Sequence, residues 1–144
     1  MKRNAFTLVE LIFTIVIIGV LAAVAVPQFK NLKQNAEVKA VIKTTIDTAS
    51  SAANAAVNQL DLESNTSITL AGLVSVKGKG WNQSTDVNTT YYATSEGNVS
   101  KIVLGNRTVT YTIDCSKFTD SISETKCKDD LNISTDTTST TINF

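Results

Sequence analysis

The chain changes its hydrophobic pattern three times. After five residues it becomes almost wholly apolar from Phe6 to Val26, a run closed by Pro27. Roughly 20 residues of helix, rising 1.5 Å each, cross the hydrocarbon core of a bilayer. From Gln28 polar residues enter, while apolar ones recur at Val38, Ile42, Ile46, Ala49, Ala53, Ala56 and Leu60. Steps of three and four trace one helical face. The spacing therefore predicts one long helix, apolar all round in its first half and amphipathic in its second. Pro27 lacks a backbone donor, so a kink or local melting is expected there. Ala and Ser crowd the stretch 49–56, which lets a neighbouring element approach closely.

Beyond Leu60 the helical period stops, and 61–88 is expected to be loop. Asp61–Ser67 reads as a helix exit. Ile68–Leu73 is a short apolar patch with room for one helical turn, and Lys77-Gly-Lys-Gly-Trp81 is loop-like, with Trp81 covering a sheet edge. A period of two then appears. Strands are expected at 91–94, 99–104 and 108–114, separated by Glu96-Gly-Asn98 and Gly105-Asn106, both hairpin signals. Strict alternation in Thr108–Asp114 places Val109, Tyr111 and Ile113 toward the helix. The Thr- and Ser-rich end, Ser134–Phe144, is an edge strand or a disordered tail. The fold class is α+β: a long N-terminal helix packed on a small antiparallel β-meander.

Composition narrows the function. The 144 residues leave one modest domain once the apolar run is set aside. Basic and acidic side chains balance at 13 each, lysines are thinly spread and aromatics few, so no nucleic-acid footprint is present. With no His in the chain and no Gly-rich phosphate loop, the usual nucleophile–base arrangements are missing and an enzyme is not expected.

Inside the apolar run sits one carboxylate, Glu10, preceded by a basic leader containing Lys2 and Arg3. An acid in a spanning helix needs a partner or a purpose. Lys2-Arg3-Asn4-Ala5 followed by Phe6-Thr7-Leu8-Val9-Glu10-Leu11 resembles the class III leader and mature N-terminus of type IV pilins and type II secretion pseudopilins. Gly19 and Pro27 also stand where that family places them; Ala5 stands where the family usually has Gly. The resemblance implies cleavage between Ala5 and Phe6 by a membrane-embedded prepilin peptidase, N-methylation of Phe6, and a docking role for Glu10 against the freed amine of a neighbouring subunit. It divides the chain into a leader (1–5), a transmembrane and filament-core helix (6–27) and an exported domain (28–144), the last made of amphipathic helix 28–60, loop 61–88 and a meander with a disulfide region at 89–144. It places the precursor in the inner membrane with its N-terminus cytoplasmic and its domain periplasmic, and the mature subunit in a filament. The partners implied are copies of the chain, the peptidase, an inner-membrane assembly platform and other minor pilins or pseudopilins.

The implied function is a structural subunit of a type IV pilus-like filament. The alternative is a pseudopilin of a type II secretion or DNA-uptake apparatus. Two readings of another kind compete: a secreted binding protein with a signal peptide cleaved after Ala23-Val24-Ala25, and a membrane-anchored sensor domain. Cys115 and Cys127 lie in the exported part, where an even count favours one disulfide, with a metal site or reactive thiol as the alternative. Their interval matches in layout the family's C-terminal disulfide region. No cofactor is implied beyond the option of Ca²⁺ among Asp120, Asp129, Asp130 and Asp136, which lack EF-hand spacing. Asn-x-Ser/Thr triplets occur at Asn65, Asn82, Asn88, Asn98, Asn106 and Asn132. Four have an acid two residues earlier, the extended signal that bacterial N-linked transferases prefer, so glycosylation is an option at Asn65, Asn88, Asn98 and Asn132.

Overall fold

The computed structural model describes residues 6–144. Helix α1 (Leu8–Val57) carries Pro27 in its interior and stays helical through it. The expected local melting is not seen. Proline deletes one backbone hydrogen bond, and the helix of 50 residues continues through it to Val57. The chain divides into two compact units, one ending at Gln34 and the other running from Asn35 to Phe144.

In the first unit α1 keeps its large apolar side chains exposed, Leu8, Phe13, Ile18, Val24, Phe29 and Leu32 among them. Among the described residues this is the one helix long and apolar enough to cross a membrane.

In the second unit α1 packs on a sheet. Its buried positions are Val38, Val41, Ile42, Thr45, Ala49, Ala52, Ala53 and Ala56. The face is wider than the periodicity predicts: Val41, Thr45 and Ala52 lie one step to the side of the expected stripe. A sheet covers more of a helix than a single row of contacts. Thr45 is admitted because its hydroxyl is fully satisfied. It donates to the Val41 carbonyl at 2.7 Å and lies 2.7 Å from the Ser100 hydroxyl. After α1 the backbone widens into a π-helical turn (Asn58–Leu62), and beyond Ser64, left-handed at φ 54°, Asn65 N–H reaches back to the Gln59 carbonyl at 2.8 Å.

The segment expected as loop at 61–88 holds two ordered elements. Helix α2 (Leu70–Leu73) is capped by Thr69, and its Leu70 is buried. Strand β1 (Trp81–Gln83) begins with the residue expected to cover the sheet edge, and it is that edge. Three residues carry too little alternation to register as a strand. Gly80 at φ 87° passes so close to Tyr92 that a Cβ would lie 2.5 Å from its ring, which lets Trp81 meet Tyr92 edge-on at 5.6 Å.

Strands β2 (Thr89–Thr94), β3 (Gly97–Gly105), β4 (Thr108–Asp114) and β5 (Thr137–Asn143) complete an antiparallel sheet in sequence order. The Thr-rich end is thus a strand, paired with β4 from Thr108↔Asn143 to Asp114↔Thr137. Val109 and Ile113 are fully buried, and Tyr111 packs against the core beside them. At the two-residue β3–β4 turn Arg107 adopts φ 53°. Its carbonyl accepts from Phe144 N, its Nε donates to the Phe144 carbonyl and its guanidinium reaches Asp61.

The core has two parts. Val38, Val41 and Ile42 pack with Tyr92, Val99, Ile113, Phe118 and both cysteines. Ala49, Ala52 and Ala53 pack with Leu70, Ile102, Leu104 and Val109. Small side chains on the helix in the second part let larger ones from the sheet fill the gap, as close packing requires.

Candidate functional site

Phe6, Thr7 and Glu10 lie at the start of α1 and are all exposed; Ala5 lies outside the described residues. Thr7 is the residue before the helix, and Glu10 is three positions on. The Thr7 backbone N–H donates to Glu10 Oε2 at 2.9 Å, the Thr7 hydroxyl donates to the same oxygen at 2.8 Å, and Glu10 N–H donates to Thr7 Oγ1 at 3.3 Å. This is a capping box, in which a hydroxyl residue and an acid satisfy each other's amides at a helix N-terminus. The helix dipole adds to it, since its positive end favours a carboxylate. The signal was available as Thr7-x-x-Glu10, [ST]-x-x-[DE] ahead of an apolar run.

Both bonds from Thr7 fall on Oε2, leaving Oε1 without a partner among the described residues. A carboxylate accepts through both oxygens. The side chain therefore holds its own helix end and retains an open acceptor for a cation.

The disulfide candidates are bonded to each other. Cys115 and Cys127 are fully buried, with Cα atoms 5.6 Å apart. The segment between them is not an open loop. A 3₁₀ turn (Cys115–Lys117) is followed by helix α3 (Ser121–Leu131). Asp114 caps the turn through Ser116 N–H and hydroxyl. Asp120 caps α3 through Ser123 N–H at 2.9 Å and its hydroxyl at 2.8 Å. At the far end Asn132 turns left-handed at φ 53°, and Ile133 N–H reaches back to the Lys128 carbonyl, a Schellman-type closure. Lys128 bridges Glu124 at 2.7 Å and Asp136 at 2.6 Å, bonds that raise its pKa. Order here comes from caps and ion pairs, with Phe118 inserted into the core.

These contacts also locate the acids considered for Ca²⁺. Asp120 is spent on a helix cap and Asp136 on Lys128, and no group of three metal-binding side chains forms among the described residues.

The four acid-preceded asparagines have different surroundings. Asn88 Oδ1 accepts from Leu70 N–H at 3.3 Å, tethering α2. Asp86 beside it is held below the usual carboxylate range by the Asn88 N–H and the Thr89 hydroxyl. Asn98 lies in β3, paired with Ala93. Asn132 caps α3. Asn65 lies in an exposed stretch outside any helix or strand.

The prokaryotic N-terminal methylation motif matches residues 1–26. The chain is 32% identical over 107 residues to the type IV major pilin protein PilE of Neisseria gonorrhoeae, covering 73% of this chain and 64% of that protein. It is 33% identical over 78 residues to a fimbrial protein of Neisseria meningitidis serogroup A / serotype 4A, covering 54% of this chain and 46% of that one. The match thus spans less than two thirds of the length of either relative. No solved structure matches at a significant level. The chain therefore carries the prokaryotic N-terminal methylation motif at the head of an α+β, pilin-like fold and is similar to type IV pilins.

Proposed function

We propose that this chain is a non-catalytic structural subunit of a type IV pilus-like filament, cut between Ala5 and Phe6, N-methylated at Phe6 and assembled through its N-terminal helix. The observation that carries this reading is an exposed apolar helix with one carboxylate at its start, already capping the helix and still open at Oε1. Apolar surface of this extent is not left in water. A bilayer covers it in the precursor, and the helices of neighbouring copies cover it in the filament. Cleavage frees an amine at Phe6. In apolar surroundings that ammonium is tolerated when an opposite charge meets it, and Glu10 of a neighbouring subunit supplies the charge. The membrane orientation, the peptidase, the assembly platform and any minor pilins belong to the same reading.

The mature N-terminus tests it. Mass spectrometry is expected to find a chain beginning at N-methylated Phe6. A chain beginning at Val26 would overturn the reading in favour of a secreted binding protein, and an intact leader would favour an anchored sensor.

The pseudopilin alternative shares the motif and the helix. The disulfide-closed domain favours an outward-facing surface and hence the pilus. Shearing cells separates the two: long surface filaments containing this chain support the pilus, and confinement to the periplasm supports the pseudopilus.

A further inference from the structure

Six Asn-x-Ser/Thr triplets are cheap in a chain this rich in Asn, Ser and Thr, but the acid two residues before four of them is not. With 13 acids in 144 residues, about half a match is expected among six triplets. The fold divides the four sharply. An acceptor asparagine must present its amide, and its neighbours on both sides, to a transferase. Asn88 has its amide oxygen on the Leu70 backbone and is half-buried. Asn98 is exposed, but the hydroxyl of its triplet belongs to Ser100, which is 1% exposed and bonded to Thr45 inside the core. Asn132 follows an acid, Asp130, that lies in the last turn of α3, and its own backbone closes that helix, so presentation requires unwinding. Asn65 differs in exposure, although its own N–H also closes a helix end on the Gln59 carbonyl at 2.8 Å and Glu63 Oε2 accepts from Gln59 Nε2 at 2.9 Å. Every residue from Glu63 to Ser67 is exposed, and 64–67 lie outside any helix or strand. Ser64 stands in the left-handed region at φ 54°. Asn65 Oδ1 accepts from Ser67 N–H at 3.1 Å, and Nδ2 donates to Gln59 Oε1 at 2.9 Å, an exposed bond readily exchanged for water.

We propose that Asn65 is an N-glycan acceptor, recognised through Glu63 and the hydroxyl of Ser67 on a preformed surface turn. The donor class is a lipid-linked diphospho-oligosaccharide. Asn65 Nδ2 bonds to C1 of the first sugar while the bond from C1 to the diphosphate oxygen breaks. The lipid diphosphate leaves with the electron pair of that bond, and the proton lost from Nδ2 passes to a base of the transferase and then to solvent. Glu63 contributes charge and position and is not consumed.

The test is co-expression of the full chain in a bacterial host with an acid-requiring N-oligosaccharyltransferase and its lipid-linked heptasaccharide, followed by glycopeptide mass spectrometry. Glycan is expected on Asn65, absent from Asn88 and Asn98, and lost in both Asn65→Gln and Glu63→Gln. A non-reducing gel showing the Cys115–Cys127 bond in each variant establishes that loss of glycan is not loss of fold. Bare Asn65 in wild type beside a fully modified control acceptor would overturn the proposal. So would glycan on Asn98 at equal occupancy, or occupancy of Asn65 unchanged by Glu63→Gln. Filament formation is not read in this experiment, so its outcome is independent of the assembly reading.

Discussion

Thr45→Val tests how α1 is held to the sheet. The substitution keeps the branched shape at a fully buried position and exchanges one hydroxyl for a methyl. Thr45 has a single hydroxyl proton, and it goes to the Val41 carbonyl. The 2.7 Å contact with Ser100 must therefore be a hydrogen bond donated by Ser100 to Thr45. Valine removes the acceptor, stranding a donor on a side chain that is 1% exposed. A buried hydroxyl left without its partner costs about 1–3 kcal/mol, while the Val41 carbonyl still has its helical N–H and loses little. Ser100→Ala alone should cost less, about 1 kcal/mol, because Thr45 keeps its bond to Val41. In the double variant nothing polar is stranded, so it should be more stable than the two single losses added together, with a coupling of about 1 kcal/mol. Urea unfolding of the detergent-solubilised chain, followed by Trp81 fluorescence, measures all four proteins. A Thr45→Val protein as stable as wild type, or strict additivity in the double variant, would refute the donor assignment.

Glu10→Ala should leave membrane insertion and leader cleavage intact while reducing entry into sheared filaments, because the span becomes more apolar and the Phe6 amine loses its partner; wild-type filament yield would remove the docking role. Replacing Cys115 and Cys127 with Ser should cost about 3 kcal/mol by release of the closed interval and increase proteolysis within 116–126, leaving the membrane-inserted precursor present. An unchanged cleavage pattern would show that the caps and ion pairs of α3 suffice. Tyr92, buried and donating to Glu37 at 2.9 Å, has its pKa pushed up to about 12 by burial, then by that bond and the Glu37 charge. A folded pKa above the unfolded value of about 10 gives stability that is complete below pH 10 and is lost as pH rises through 12. The loss should reach about 1–2 kcal/mol after solvent screening, and Tyr92→Phe should flatten that part of the stability profile.

The long helix, the three central strands and the Phe6–Glu10 motif are legible in the sequence because each rests on a repeating or contiguous pattern. Helix α3 is not. Its buried side chains are Ser123 and Cys127, so no apolar stripe marks it. Its signals are local: Asp120 before Ser121-Ile-Ser, and Glu124 four residues ahead of Lys128. The Thr7–Glu10 box is written in local residues, but the apolar run around it also accounts for the segment as a membrane span, so its cap is masked. Asn88 as a tether and Ser100 as a buried hydroxyl depend on partners 18 and 55 residues away, and no local pattern encodes those.

The strands stand in the sheet in the order in which they are written, and that orders the folding of the domain in time. As the chain emerges from its N-terminus onward, α1 is present first, and each strand up to β4 finds its neighbour already made across a short turn. Local pairing of this kind closes small loops and forms early. Only β5 must wait, because residues 115–136 separate it from β4, and the disulfide shortens that interval by tying its first residue to Cys127. An oxidant acting on the emerging chain therefore governs the final strand and little before it. Pulsed hydrogen exchange during refolding should show the amides of Thr137–Asn143 protected last, and delayed further when the cysteines are kept reduced.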